Sequence, residues 1–188
     1  MTGLDDFKAV LKEYSNLAIW VAGGSVALPF IASFLSIIPP WPKGLDVITA
    51  IFQLLTLILV FQTLSGSSRR KVSRNVIILF VACFVTILAY IVVFISFTIY
   101  VPAAKRYIVV GYSCTSDAAR VYTDTCPDLG YSALAGVAFD EFRLWTKGSI
   151  TLVRTGLIGI WFVFFVSLSA LVGSFLVFQM SKKGRLSA

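Results

Sequence analysis

Four long apolar runs occupy most of this chain of 188 residues and restrict what it can fold into. A helix needs about 20 consecutive apolar residues to cross the hydrocarbon core of a bilayer. Each run is long enough, and the only charge well inside any of them is Arg154. We therefore predict an all-α integral membrane protein with four transmembrane helices. The predicted spans are residues 17–38, 45–64, 76–101 and 150–180.

Composition supports a membrane protein and disfavours an enzyme. Hydrophobic residues make up 58% of the chain and charged residues only 13%, whereas soluble globular chains carry about 25% charged residues. The chain has no histidine, which removes a Ser/His/Asp triad, a zinc-binding HExxH motif and a histidine proton shuttle. We therefore predict that the protein is not an enzyme and needs no cofactor.

The longest connection, residues 102–148, separates the third and fourth runs. Its charges balance, with five basic and five acidic residues. Residues 107–110 have the composition of a strand, and apolar side chains recur at helical spacing over residues 131–145. Loops of this length are usually functional or disordered, and this one has the patterning of an ordered segment. We predict a small extramembrane lobe attached to a single transmembrane domain.

Two of the three cysteines, Cys114 and Cys126, lie in this connection, while Cys83 lies in the third run. If the lobe faces an oxidising compartment, Cys114 and Cys126 can close a small disulfide loop. The alternative is two free thiols at ordered positions. Structural zinc sites use four ligands, so the cysteine spacing does not indicate a zinc or other metal site.

Basic residues set the expected orientation. Nine Lys or Arg residues fall on the side of the two termini and six on the other side. Because short cytoplasmic segments carry the excess of Lys and Arg, we predict a multi-pass protein of the cell inner (plasma) membrane with both termini in the cytoplasm.

A basic cluster without acidic neighbours connects the second and third runs. In one interpretation it sets topology and attracts anionic lipid. In the other it binds an anionic regulator such as a nucleotide or oligonucleotide, although it has no interleaved aromatic residues for base stacking. The residues are Arg69, Arg70, Lys71 and Arg74.

Polar side chains recur at helical spacing along the second run, at Thr49, Gln53, Thr56 and Thr63. Uncharged polar groups of this kind can line a water-filled pore, and the alternative is hydrogen bonding between packed helices. Arg154 is a candidate gating residue, because an ionisable group inside a span is costly and usually functional. Since it lies close to the start of its run, its side chain could instead extend to the membrane surface.

These features favour an ion channel or pore. One bundle of four helices is too narrow for a water-filled path, so a pore requires a homo-oligomer. The alternative is a non-conducting membrane partner: an immunity, assembly or anchoring protein that binds another chain. A membrane enzyme is the least favoured class, since histidine and buried carboxylates are missing from the runs.

The order of four apolar runs, short basic ends and a lobe in which Trp145-Thr146 leads into the last run resembles the small transmembrane effectors of bacterial antiphage defence, in particular the Hailong-type channel effectors. That resemblance implies a homo-oligomeric channel controlled by a partner nucleotidyltransferase and its nucleic-acid product. It extends over the whole chain as architecture, without a diagnostic motif, and no functional residues are carried over. The predicted orientation departs from it, because a cytoplasmic oligonucleotide would not meet a lobe on the outer side.

Overall fold

The computed structural model describes residues 17–64, 67–102 and 105–183, and both termini lie outside this part. The described chain is mostly helical, with one two-stranded sheet. In chain order the elements are α1 (Leu17–Phe34), α2 (Leu45–Leu64), α3 (Arg69–Phe97), β1 (Thr98–Val101), β2 (Arg106–Val109), α4 (Ser116–Val121), α5 (Tyr131–Gly136), α6 (Glu141–Leu144) and α7 (Lys147–Lys183).

Among the described residues, three helices, α2, α3 and α7, are long and apolar enough to cross a membrane. In α1 the corresponding apolar segment is shorter, Gly23–Phe34, so a fourth span stays a prediction. Helix α3 begins at Arg69, seven residues before the predicted third span, and ends at Phe97, where the chain enters strand β1. Residues 98–101 of the predicted span are therefore not helical.

The end of α3 has a clear physical cause. The sequence Thr98–Val101 is rich in β-branched residues, and it pairs with Arg106–Val109 in an antiparallel hairpin. Residue Thr98 opposes Val109, and Tyr100 opposes Tyr107 with ring centroids 5.1 Å apart. Apolarity alone does not distinguish a buried strand from the continuation of a helix, and here cross-strand pairing decides in favour of the strand.

The chain divides into two compact units, to both of which α3 and α7 contribute residues. The first comprises the described parts of residues 1–38, 44–87 and 162–188. In it α1 packs on α2, and a hydrophobic cluster joins α2, α3 and α7. At Gly173 a Cβ would lie 2.9 Å from Val60 Cγ1, so the missing side chain lets α7 approach α2 closely. The buried cluster consists of Phe61, Leu64, Val72, Leu176 and Val177.

The second unit comprises residues 39–43 and 88–161, and it contains the hairpin and helices α4–α6. We call residues 105–146 of this unit the lobe, and its position outside a membrane stays a prediction. Its core has ten buried residues, and Trp145, Leu134 and Ile150 are completely buried within it. Because these helices are only four to six residues long, side-chain packing and caps hold them rather than helix propensity. Asp140 caps α6 by accepting a hydrogen bond from the Phe142 amide at 3.2 Å.

The helix predicted over residues 131–145 is broken into α5 and α6. Ala138 and Phe139 both adopt left-handed backbone conformations, with φ of 56° and 61°. The Phe139 amide folds back onto the Leu134 carbonyl at 2.8 Å, which ends α5. Each non-glycine residue in this region costs about 1–2 kcal/mol, and the buried side chains on either side of the break provide the compensating contacts.

Candidate functional site

The polar stripe of α2 divides between the interior and the surface of the first unit. Thr49 and Gln53 are 0% exposed, Thr56 is half-buried and Thr63 is exposed. Each threonine hydroxyl donates to a carbonyl one turn earlier in its own helix, at 2.6–2.9 Å. Within one chain, only Thr56 and Thr63 of this predicted pore face reach the surface.

The side chain of Gln53 connects two helices. Its Nε2 donates to the Ser25 carbonyl of α1 at 3.1 Å. Its Oε1 is buried without a hydrogen-bond partner among the described residues. The bond to Ser25 is the interhelical contact that the alternative interpretation of the stripe requires.

A different exposed stripe lies on the first half of α7, within the second unit. Lys147, Thr151, Thr155 and Gly159 follow one another at intervals of four residues, and all are exposed. Beside them Gly156 is also exposed, with no atom within 4 Å of where its Cβ would be. We call these five residues the α7 ridge. None of these five residues is among the pore-lining residues predicted from the sequence, although the lysine and threonines recur at a regular spacing.

The chemistry of the α7 ridge contrasts with that of α3. The exposed positions of α3 carry large apolar side chains, such as Ile77 at 63%, Phe80 at 62% and Phe84 at 58% exposure. Side chains of that kind suit contact with lipid tails. The α7 ridge presents hydroxyl groups, glycines and one ammonium group, although it begins a helix that is apolar enough to span a membrane. The large apolar side chain beside these groups is Leu152, which is 63% exposed.

Arg154, the predicted gating residue, forms an ion pair with the lobe. Its Nη2 lies 2.7 Å from Oε1 of Glu141 in α6, and their side chains are 25% and 15% exposed. The guanidinium carbon lies 5.7 Å from the centroid of the Phe142 ring, a cation–π distance. Its Nε is buried without a hydrogen-bond partner among the described residues. The sequence did not indicate Glu141 as the partner of Arg154. Glu141 is one of five acidic residues in the connection 102–148, and its spacing does not distinguish it from the other four.

Contacts around Trp145 hold the lobe against the start of α7. The indole Nε1 donates to the Pro127 carbonyl at 3.0 Å, and the Trp145 backbone bridges to Cys114. Cys114 and Cys126 are joined by a disulfide. The Thr146 amide donates to the Ser113 carbonyl at 2.9 Å. Cystine, indole and backbone together hold the residues that lead into α7.

The basic cluster lies on a helix rather than in a loop. Helix α3 begins at Arg69, so the cluster occupies its first six residues. All four side chains are exposed. The Arg69 guanidinium lies over the Phe178 ring of α7, 4.8 Å from its centroid, which separates it from the other members Arg70, Lys71 and Arg74.

In the described part of the chain, no group of three or more His, Cys, Asp or Glu side chains is placed to hold a metal ion. Comparison of the chain with protein-family models, with curated proteins and with solved structures finds no match. The resemblance to the Hailong-type channel effectors therefore stays a prediction from the architecture of the sequence.

Proposed function

We propose that this protein is the subunit of a homo-oligomeric membrane channel, and that the α7 ridge faces the axis around which the copies assemble. The observation that carries the proposal is the exposure of hydroxyl groups and glycines at the start of a membrane-length helix. Helices associate in lipid through small residues and interhelical hydrogen bonds. Uncharged polar groups also line water-filled pores.

The ridge suits a pore better than it suits lipid. The hydroxyl protons of Thr151 and Thr155 donate to their own helix at 2.9 Å, and their oxygens remain able to accept from water. The open positions Gly156 and Gly159 allow close approach of a neighbouring backbone. Repeated around an axis, Lys147 would form a ring of positive charge at one end of the ridge, and such rings favour anions.

The lobe offers a means of gating. Arg154 is adjacent to Thr155 in the chain, and its ion pair joins α7 to α6. A ligand or partner that displaces α6 would therefore alter the register or rotation of the helix that carries the ridge. A role in bacterial defence belongs to this proposal only through the resemblance in architecture.

The decisive experiment is ion flux from liposomes that contain the purified protein, with its mass measured in detergent. Two matched variants assign the pore face, since each replaces an exposed threonine that bonds to its own helix: Thr155→Leu on α7 and Thr63→Leu on α2. We expect flux to fall at least tenfold in the first variant and to be preserved in the second. The reverse result would move the pore to α2.

Water exposure gives a readout that does not depend on an open gate. In a Cys83→Ala background, we expect a water-soluble thiol reagent to modify Thr155→Cys, with Val85→Cys in α3 as the lipid-facing control. A silent monomer would refute the channel and support the alternative of a non-conducting partner. A silent oligomer with an unreactive Cys at position 155 would refute the proposed pore face.

A further inference from the structure

We propose that Arg70 and Arg74 bind the phosphate of an anionic phospholipid at the surface of α3. This inference does not depend on the proposed channel. It rests on where the two arginines lie relative to the apolar face of the same helix. The basic cluster as a whole is a feature of the sequence, whereas only the structure shows that Arg69 lies over Phe178 while Arg70 and Arg74 lie on the exposed face of α3.

The two arginines share the most exposed face of α3. Ile77, Val81 and Val85 are 63%, 54% and 56% exposed, and both arginines are exposed too. At about 100° per residue, these five positions fall within roughly 80° of the helix circumference. The opposite face carries Val72 and Cys83, which are 1% and 9% exposed. The arginines therefore lie above the exposed apolar face of α3 and not above the protein core.

The positions of the two arginines along the helix axis also suit contact with a phospholipid headgroup. Arg74 precedes Ile77 by three residues, about 4.5 Å along the helix axis, and Arg70 is about 6 Å further out. A phospholipid can thus place its acyl chains on Ile77 and Val81 while its phosphate meets the guanidinium groups. Guanidinium groups bind phosphate oxygens through paired hydrogen bonds.

The positive charge at the N-terminal end of α3 favours an anionic ligand. Basic side chains are unfavourable at a helix N-terminus, which carries the positive end of the helix dipole. Neither ion pair found in the described residues involves the basic cluster. A phosphate would compensate both the arginines and the helix end. The lipid is favoured over a free phosphate, because only a lipid also uses the apolar face directly below.

Arg69 provides the matched control. It precedes Arg70 by one residue and has the same charge, but its guanidinium lies over Phe178, 4.8 Å from the ring centroid. Replacing Arg69 removes the same charge from the same helical turn without removing a group from the lipid-facing side. General attraction to a negative surface would make Arg69 and Arg70 equivalent, whereas the proposed site would not.

The test is native mass spectrometry of the full chain released from detergent with known amounts of phosphatidylglycerol or phosphatidylcholine. We expect the first phosphatidylglycerol to bind more tightly than phosphatidylcholine. Arg70→Gln and Arg74→Gln should each weaken that binding about fivefold, as about 1 kcal/mol per basic residue implies. Arg69→Gln should change it by less than about twofold, and thermal unfolding checks that each variant is folded.

Three outcomes would overturn the assignment. Equal losses for Arg69→Gln and Arg70→Gln would mean diffuse attraction rather than a site. Equal affinity of the wild-type chain for the two lipids would mean that no headgroup is selected. Displacement of phosphatidylglycerol by millimolar inorganic phosphate would identify a site for soluble anions in place of a lipid site.

Discussion

The Nε2 of Gln53 in α2 donates to the Ser25 carbonyl of α1 at 3.1 Å, and the position of Pro29 explains why a donor is needed there. In an α-helix the carbonyl of Ser25 would accept from the amide of residue 29, but proline has no amide hydrogen. Ser25 and Gln53 are 5% and 0% exposed, and a backbone carbonyl that is buried without a donor is costly. Gln53 of α2 therefore donates to a carbonyl of α1 to which Pro29 cannot donate.

We expect Gln53→Leu to lower the free energy of unfolding by about 1–2 kcal/mol, because it removes the donor to this carbonyl and leaves the packing volume nearly unchanged. Gln62→Leu, an exposed glutamine on the same helix, should leave it within about 0.5 kcal/mol. Heat unfolding in detergent measures both. Equal effects would show that loss of any glutamine from α2, and not this bond, determines stability.

We expect loss of the ion pair between Arg154 and Glu141 to destabilise the lobe locally. Arg154→Gln leaves the largely buried Glu141 carboxylate without its cation, and we expect a loss of about 1–3 kcal/mol in the stability of the second unit. The control is Arg143→Gln, whose pair with Asp140 is 3.6 Å long and whose side chain is 71% exposed. That variant should cost less than about 1 kcal/mol.

Limited proteolysis of residues 105–146 measures this change. A second measurement is the fluorescence of buried Trp145 in a background where the other three tryptophans, Trp20, Trp41 and Trp161, are replaced by phenylalanine. Faster cleavage and a red-shifted emission are expected for Arg154→Gln alone. If Arg143→Gln has the same effect, then net charge of the lobe is responsible, and the short contact of Arg154 with Glu141 is not.

The disulfide closes a short loop, since Cys114 and Cys126 are separated by 12 residues. We expect replacing both by serine to lower the stability of the lobe by about 3 kcal/mol, the size expected for a loop of this length. Cys83→Ala serves as the control for loss of a thiol outside the lobe. A lobe that unfolds at the same temperature with and without reductant would contradict the prediction.

Gly111 lies where the lobe meets the first turn of α7. A Cβ at this position would lie 2.8 Å from Trp145 Cβ and would collide with the Ser149 hydroxyl. We expect Gly111→Ala to cost about 1–3 kcal/mol, as overpacking does. Gly148→Ala, where nothing lies within 4 Å, should be neutral or stabilising by up to about 1 kcal/mol. Thermal unfolding of the pair tests the sign as well as the size.

The proposed channel predicts its ion selectivity. Lys147 is the exposed basic residue at the start of the α7 ridge, so Lys147→Glu should shift the reversal potential in a salt gradient from anion towards cation preference. Lys43→Glu makes the same change of charge at an exposed position outside the ridge, and should leave the reversal potential unaltered. A shift of equal size in both variants would argue against Lys147 at the pore mouth.

The apolar run 45–64 coincides with α2, whereas apolar length did not indicate where α3 ends. The runs at 45–64 and 150–180 lie in α2 and α7, because uninterrupted apolar sequence in a membrane has few alternatives to a helix. Residues 98–101 continue the third apolar run but form a strand instead of a helix. There the outcome depends on a partner segment at Arg106–Val109, and pairing between segments is not encoded in the hydropathy of either one.

For the candidate site, too, the sequence indicated the unusual residues and the tertiary structure added their partners. The sequence by itself established that Arg154, the basic cluster and two lobe cysteines were the unusual groups, since residue type and local context suffice to make a charge or thiol notable in an apolar chain. Only the folded arrangement assigned their partners: Glu141 to Arg154, and Phe178 to Arg69. Those contacts join residues from different elements, whose distances are set by packing and by caps such as Asp140, and no local pattern in the chain carries that information.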